Sequence, residues 1–228
     1  MNQSKNEEEI LAKIKNADEL IERTMWDALR NQDHDAELRG YEQARQALEA
    51  LSELSPSLKK ERDRVLAFCL MRIDDALVRL GDKGDSVSRV KHALQVAQRS
   101  QDNIQIARCL LALGTRLASA GSIAEAESYW DKTLSLAEGR TERDMRQIVG
   151  WTLIVKGRFQ SQTGEAKIAL ETLERAEGTL EAIDNYAGMA NADALMAEIY
   201  RTLKDNFNEK KYREKSRKFM EKAQAEEK

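Results

Sequence analysis

An internal repeat is the feature of this sequence that most constrains its fold. The stretch 109–137 is predicted to form two amphipathic helices joined at Gly121, and the same unit recurs before and after it. A shift of about 40 residues superimposes 69–81 on 109–121 without a gap. The residues that coincide are Cys69 and Cys109, Leu70 and Leu110, Leu77 and Leu117, Gly81 and Gly121, Val90 and Trp130, Leu94 and Leu134, and Ala97 and Ala137.

A weaker copy follows after a further shift of about 43 residues. It pairs Leu110 with Leu153, Gly114 with Gly157, Gly121 with Gly164, Ala126 with Ala169 and Trp130 with Leu173. A simple helix bundle does not need such periodicity, whereas a stack of repeated helix pairs produces it. The sequence therefore predicts an all-α solenoid in which the repeat length drifts.

About ten helices are expected and almost no strand, since the chain has one proline, 5% aromatic residues and 34% charged residues mixed with alanine and leucine. The predicted helices span about 7–30, 35–54, 56–80, 86–99, 104–120, 122–137, 141–163, 165–183, 186–203 and 208–226.

Helix starts are indicated by short polar motifs. Ser55 is an expected N-cap with Pro56 as the first helical residue. Ser122 with Glu125 has the spacing of a capping box, and Thr141 begins a looser version of the same signal.

Charge and cysteine usage narrow the class of protein. Lys plus Arg (37) nearly balance Asp plus Glu (40), so the chain as a whole has no positive electrostatic field that would attract nucleic acid. Nucleic acid is therefore not an expected partner. Cys69 and Cys109 lie in apolar helical runs, which indicates reduced core thiols. The N-terminus lacks the apolar core of a signal peptide, and no run could span a bilayer, so we expect a soluble, cytoplasmic protein.

The repeat resembles the tetratricopeptide repeat (TPR) family, in a longer variant of about 40 residues per unit. The resemblance rests on a mid-helix small residue, a turn glycine, and a small-large pattern along the second helix. The matching residues are Leu113, Gly114, Gly121, Ala126 and Trp130 in the central copy, and Tyr41, Ala44, Leu48, Leu51 and Pro56 in the first.

The resemblance implies a right-handed superhelical solenoid of antiparallel helix pairs that fills 1–228 as a single domain of about five pairs. The terminal pairs, 7–54 and 186–226, are divergent or act as caps. Asp74 replaces the mid-helix glycine of the second copy, and Tyr212, Ser216 and Phe219 replace small residues in the last.

The same resemblance implies that the first helix of each pair lines a concave groove. The candidate partner-binding residues are Phe68, Met71, Asp75, Arg79, Arg108, Leu111, Thr115, Ser119, Trp151, Ile154, Arg158, Gln162 and Arg201. Apolar floor residues with a series of arginines favour a protein or peptide that has apolar anchors and acidic flanks. The alternative is that the apolar members are core and the arginines are solvated.

No motif for catalysis, a cofactor or a metal is found. His34 and His92 lack the ligand spacing of a zinc site, and the glycine-containing segments fit neither a phosphate loop nor a calcium loop. The sequence therefore predicts a non-catalytic protein-interaction scaffold or adaptor. A module that senses a small effector or peptide and regulates a bacterial-type signalling or transcription system is the second interpretation.

Two features at the ends of the chain leave alternatives open. From Glu209 to Lys222 there are seven Lys or Arg and three Glu, a composition that suits a polar cap or a helix that binds RNA or acidic lipid. A homodimer is possible if apolar residues of a terminal pair, such as Trp26 or Phe219, are exposed.

Overall fold

The computed structural model describes residues 2–82 and 84–226, and this part of the chain forms ten α-helices and no strand. They are α1 (Asn2–Asn31), α2 (His34–Glu49), α3 (Pro56–Arg79), α4 (Ser86–Ser100), α5 (Asn103–Ser119), α6 (Ile123–Leu136), α7 (Arg143–Gln162), α8 (Ala166–Glu181), α9 (Tyr186–Thr202) and α10 (Asn206–Glu226). The predicted all-α helical-repeat fold is confirmed.

The helices fall into two compact units, Met1–Arg116 and Leu117–Lys228, and the boundary lies within α5. We call them unit 1 and unit 2. In unit 1, α1 packs on α2, α2 on α3 and α3 on α4, and α1 also contacts α3. In unit 2 each helix from α6 to α9 packs on the next, and α7 also contacts α9. The first helices of successive pairs therefore touch within each unit, as expected for stacked helix pairs.

Two glycines on α7 leave room for leucine side chains of α8. A Cβ added to Gly157 on α7 would lie 2.8 Å from Leu173 Cγ on α8, and one added to Gly150 would lie 2.4 Å from Leu180 Cδ2. Leu173 and Leu180 are fully buried. The small residues of the repeat thus let α7 and α8 approach, which is the packing role that the sequence pattern predicts.

The glycine that recurs at the turn within each pair adopts a left-handed backbone conformation. Gly81, Gly121 and Gly164 have φ of 78°, 87° and 89°, a region that favours glycine. After each glycine the next amide bonds back into the helix, as in Asp82 N to Leu77 O (2.9 Å) and Glu165 N to Gln160 O (2.9 Å). These bonds satisfy carbonyls at the helix end and stop the helix.

Several helix boundaries differ from the sequence prediction. α2 ends at Glu49 rather than 54, and Ser55 is extended (ψ 158°), the conformation favoured before a proline. Ser55 and Ser122 occupy N-cap positions, but neither side chain makes a cap hydrogen bond. At the start of α7 the N-cap residue is Glu142, not Thr141. Side chains cap α2, α4 and α9 instead, from Asp33, Asp85 and Asn185.

The large residues of α10 that replace small residues of the repeat close the core of unit 2. Tyr212 is buried and stacks on Tyr200 with ring centroids 5.4 Å apart. Phe219 is half-buried and stacks on Tyr186 at 6.2 Å. Phe219 is therefore engaged within the unit, whereas Trp26 on α1 is 51% exposed.

Candidate functional site

Three of the four candidate residues of α3 lie on one face of that helix. Phe68, Arg72, Asp75 and Arg79 follow one another at helical spacing, so they share that face. The first three are half-buried and Arg79 is exposed. Met71, which was also predicted to line this face, is 8% exposed and contributes to the core.

Phe68 is flanked by two guanidinium groups. Arg72 Cζ lies 5.6 Å from the centre of the Phe68 ring, and Arg108 Cζ, from α5, lies 5.1 Å from it. Both distances are within the range of a cation–π interaction. The structure thus brings together two predicted residues from successive first helices and adds Arg72, which was not among the predicted residues.

Asp75 is held by a second arginine that was not predicted. Arg116 Nη2 donates to Asp75 Oδ1 at 2.5 Å, and its Nε donates to Asp74 Oδ2 at 2.8 Å. Asp74 is fully buried, and it also accepts bonds from Arg89 Nε (2.8 Å) and Ser86 Oγ (2.7 Å). A buried carboxylate is tolerated here because two guanidinium groups compensate its charge and a hydroxyl donates a further hydrogen bond.

The Arg79 side chain contacts α2 rather than extending into solvent. Its guanidinium bonds the Glu37 carboxylate, through Nη2 to Oε1 and through Nε to Oε2 at 3.3 Å. Glu37 is buried and also accepts a bond from the Tyr41 hydroxyl at 3.2 Å. The same carboxylate borders a cavity of about 280 Å³ between α1 and α2, whose lining is Thr24, Asp27, Ala28, Asn31, Asp33, Ala36 and Glu37.

The remaining candidates on α5 are less distinctive. Leu111 and Thr115 are half-buried, and Ser119 is exposed. The Thr115 hydroxyl donates to Leu111 O at 2.9 Å, a local bond along the helix. Ser119 belongs to unit 2, so the α5 candidates are divided between the units.

In unit 2 the exposed face of α7 carries three of the four predicted residues. Trp151 is half-buried against the core cluster, and Arg158 and Gln162 are exposed. Val155 is half-buried and lies between Trp151 and Arg158 at helical spacing, so it shares their face, although it was not among the predicted binding residues. Ile154, in contrast, is 1% exposed and belongs to the core. On α9, which packs against α7, Arg201 is exposed.

The described residues include no metal-binding cluster and no reactive thiol. No group of three or more His, Cys, Asp or Glu in the described ranges could hold a metal ion. Cys69 and Cys109 are free and buried, and burial raises the pKa of both thiols to about 12, so neither is a ready nucleophile. None of the helices in residues 2–82 and 84–226 combines the length and the apolar character needed to cross a bilayer.

Comparison with known proteins identifies the fold. BtubC (BKLC) from P. vanneervenii has 13% sequence identity and a TM-score of 0.57, and the match covers 94% of this chain and 92% of that one. A putative kinesin light chain with nearly identical TPR-like repeats from Podosopora anserina has 12% identity and a TM-score of 0.52, with 92% and 96% covered. A variant of the latter gives 13% identity and 0.54, with 93% and 96% covered.

No family model matches the sequence, and no curated protein matches it. The likeness therefore lies in the arrangement of the helices, and the TPR-like character indicated by the repeat is confirmed at the level of the fold.

Proposed function

Because the chain has a TPR-like fold, we propose that it is a non-catalytic scaffold that binds a protein or peptide on the faces of the first helices of its pairs. The observation that carries the proposal is Phe68, a half-buried aromatic ring on such a face with an arginine on either side. Aromatic residues and arginine are the side chains most enriched among binding hot spots.

The face of α3 and α5 in unit 1 suits an apolar anchor next to carboxylates. An apolar side chain of the partner would pack on Phe68 and Leu111, which are both partly exposed. Acidic residues beside that anchor would meet Arg72 and Arg108, whose planar guanidinium groups pair with carboxylates in a bidentate manner. Arg72 already lies near a carboxylate of its own helix, with Nη2 at 3.4 Å from Asp75 Oδ2, so a partner's carboxylate would share this guanidinium with Asp75. Because both groups already pack on the Phe68 ring, little side-chain entropy is lost when a ligand binds.

Arg79 and Arg116 have a different role in this proposal. Both are bonded to carboxylates of unit 1, and Asp74 and Glu37 among those carboxylates are buried. A partner would have to compete with these internal bonds, so Arg79 and Arg116 shape the face and contribute less to affinity.

Unit 2 offers a similar face of its own. Trp151 and Val155 provide partly exposed apolar surface on α7, while Arg158 and Gln162 provide polar groups beside it. Arg201 adds a cation on α9. Met71 and Ile154 lie too deep to serve as anchors unless the helices separate.

The test is an affinity pull-down at native expression level with mass spectrometry to identify the captured protein. Arg108→Glu and Arg158→Glu are expected to reduce capture of that protein by at least about tenfold, since a like charge replaces a cation that faces carboxylates. Arg175→Glu is the matched control, because Arg175 is also an exposed arginine but lies on α8, a second helix. Equal capture by all three variants, with unchanged helical circular dichroism, would refute the proposed face.

A further inference from the structure

The turn between α9 and α10 exposes two large apolar side chains. Leu203, the first residue of this turn, is 53% exposed, and Phe207, the second residue of α10, is 79% exposed. Exposed apolar residues that lie together and are surrounded by polar groups are a feature of surfaces that contact a protein or a membrane. We call residues 201–211 the α9–α10 corner.

Hydrogen bonds hold the backbone of this corner in one shape. The amide of Asp205 donates to Tyr200 O at 3.0 Å and closes the end of α9. The Asp205 carboxylate accepts from the Asn208 amide at 3.1 Å and thereby caps α10. Leu203 and Phe207 therefore project from a fixed backbone, and little further ordering is needed when they bind a surface.

Positive charge surrounds these apolar residues. From Arg201 to Lys218 there are eight Lys or Arg and three Asp or Glu, in a chain whose net charge is -3. Four of the cations pair with carboxylates: Arg213 with Glu209, Lys215 with Glu177, Arg217 with Glu221 and Lys218 with Glu214. The other four are exposed, form no ion pair within 2–82 and 84–226, and all belong to the corner: Arg201, Lys204, Lys210 and Lys211.

A shallow groove on the outer face of α10 connects this charge to the exposed aromatic ring. The groove has a volume of about 450 Å³, and its lining is Phe207, Lys210, Lys211, Glu214, Lys215 and Lys218. Lys215 and Lys218 are engaged by carboxylates. The cations that the groove can offer to an anionic ligand are therefore Lys210 and Lys211, next to Phe207.

Carboxylates near the corner reduce its charge without reversing it. Within residues 201–211, Asp205 is the carboxylate that has no ion pair, since Glu209 is bound by Arg213. Outside the corner, Glu198 on α9 and Glu174 on α8 are exposed. The four unpaired cations outnumber these three carboxylates, so a net positive charge remains.

We propose that the α9–α10 corner docks on the surface of an anionic lipid bilayer. Leu203 and Phe207 enter the boundary between headgroups and acyl chains, as apolar residues of interfacial helices do. The four unpaired cations contact lipid phosphates, which their long side chains reach from the helix ends. Clusters of about four to eight Lys or Arg on a helix are typical of segments that bind acidic headgroups. This surface is separate from the proposed protein-binding faces, apart from Arg201.

A bilayer suits this corner better than RNA or an acidic peptide does. Single-stranded RNA is bound on aromatic platforms that stack with its bases, and Leu203 provides no such platform. An acidic peptide in the groove would pair with the lysines but would leave Leu203, which does not line the groove, in solvent. A bilayer covers both apolar residues and meets the cations on both sides of the turn.

Co-sedimentation with vesicles at low ionic strength tests the charge requirement. Vesicles of phosphatidylcholine with about 30% phosphatidylglycerol should bind the wild type at least about tenfold more strongly than phosphatidylcholine alone, because each lysine near an anionic surface strengthens binding about fivefold. Lys210→Glu/Lys211→Glu should lose at least about tenfold in binding. Lys59→Glu/Lys60→Glu is the matched control and should bind like the wild type, since Lys59 and Lys60 are also an exposed adjacent pair near the start of a helix, α3.

A second set of variants tests the apolar requirement. Leu203→Ser/Phe207→Ser should weaken binding at least about fivefold at unchanged charge, because apolar area in the membrane is lost. Met220→Ser is the control, since Met220 is 44% exposed on α10 but lies roughly 20 Å from Phe207 along the helix. An environment-sensitive fluorophore on Leu203→Cys should brighten with anionic vesicles, and one on Met220→Cys should not. Cys69 and Cys109 are buried, so the introduced cysteine is labelled selectively.

Several outcomes would overturn the proposal. One is a wild type that binds neither kind of vesicle at about 5 mM lipid, or binds both equally, including one that instead binds poly(U) RNA or polyglutamate through Lys210 and Lys211. Another is an equal loss of binding in Lys59→Glu/Lys60→Glu, which would indicate attraction by the whole chain. Full binding by Leu203→Ser/Phe207→Ser would equally exclude insertion of the corner. Circular dichroism of each variant checks that the fold is kept.

Discussion

Replacing Asp193 with asparagine is expected to remove a pH dependence from the stability of unit 2. Asp193 lies on α9 and is fully buried, and neither of its carboxylate oxygens has a hydrogen-bond partner among the described residues. Lys215 Nζ on α10 is 3.7 Å from Asp193 Oδ1, within ion-pair range but too far for a hydrogen bond. The lysine is closer to Glu177 on α8, with which it forms a direct ion pair.

Burial and the nearby Glu177 carboxylate raise the pKa of Asp193 to about 7, and the more distant Lys215 only partly offsets them. An ordinary aspartate in the unfolded chain titrates near 3.8. Between these values the folded protein holds a proton that the unfolded chain has lost, so stability falls as pH rises through this window and then levels off. A difference of roughly three pKa units corresponds to about 4 kcal/mol across the window.

The asparagine side chain of the Asp193→Asn variant would resemble the protonated acid in size and would carry no charge at any pH. Its amide would still be buried without partners, at a cost of about 1–3 kcal/mol, so the net gain of Asp193→Asn above pH 7 is expected to be about 1–3 kcal/mol. Near pH 4 the variant should have no advantage, because the aspartate is then neutral in the folded protein. The difference in the free energy of unfolding between wild type and variant is informative, because the contributions of the other titrating groups are nearly the same in both proteins and cancel.

Urea unfolding of the full chain from pH 4 to 8 measures this difference, and hydrogen exchange of α9 and α10 amides locates it. Glu177→Gln is the companion variant: it removes the like charge and leaves Lys215 to Asp193, so the pKa of Asp193 should fall towards its ordinary value. A stability difference between wild type and Asp193→Asn that is constant over the whole pH range would refute the reasoning.

Two further predictions concern packing and thiol reactivity. Gly150→Ala is expected to lower the free energy of unfolding by about 1–3 kcal/mol, because the new Cβ would overlap the buried Leu180 side chain. Gly178→Ala on α8 should instead raise the free energy of unfolding by about 0.4–1 kcal/mol, because no atom lies within 4 Å of the new Cβ. Denaturant unfolding checks both, and equal effects would contradict the packing argument. Cys69 and Cys109 should react with iodoacetamide at pH 8 far more slowly in the folded chain than in urea, since burial raises the pKa of both thiols to about 12. Rapid labelling of the native protein, followed by mass spectrometry, would show that they are accessible.

Much of the fold could be predicted because its signals are local in sequence. Gly81, Gly121 and Gly164 mark the turns through a backbone conformation that favours glycine, and Gly157 and Ala169 mark the place where two helices approach. Cap residues were predicted less well. A serine or threonine at a plausible position does not show which hydrogen bond its side chain makes, and Ser55 and Ser122 make no cap bond.

The candidate faces were predicted in part. Partly exposed helix faces carry Phe68, Arg108, Trp151 and Arg158, as the spacing indicated. Met71 and Ile154 are buried, because each lies one position along the helix from a residue of the exposed face. One residue turns a side chain by about 100° around a helix, so an error of a single position in register exchanges core for surface.

By itself, the sequence determined that this chain is a repeat of amphipathic helix pairs, because apolar periodicity, turn glycines and small residues act within one or two helices. Only the tertiary structure decided which polar side chains meet. Asp74 is compensated by Arg89 and Arg116 from two other helices. Asp193 instead shares Lys215 with Glu177, and its carboxylate accepts no hydrogen bond from the described part of the chain. The sequence pattern alone does not distinguish the two aspartates. The charge around a buried carboxylate depends on which side chains the neighbouring helices bring to it, and only the tertiary structure decides that.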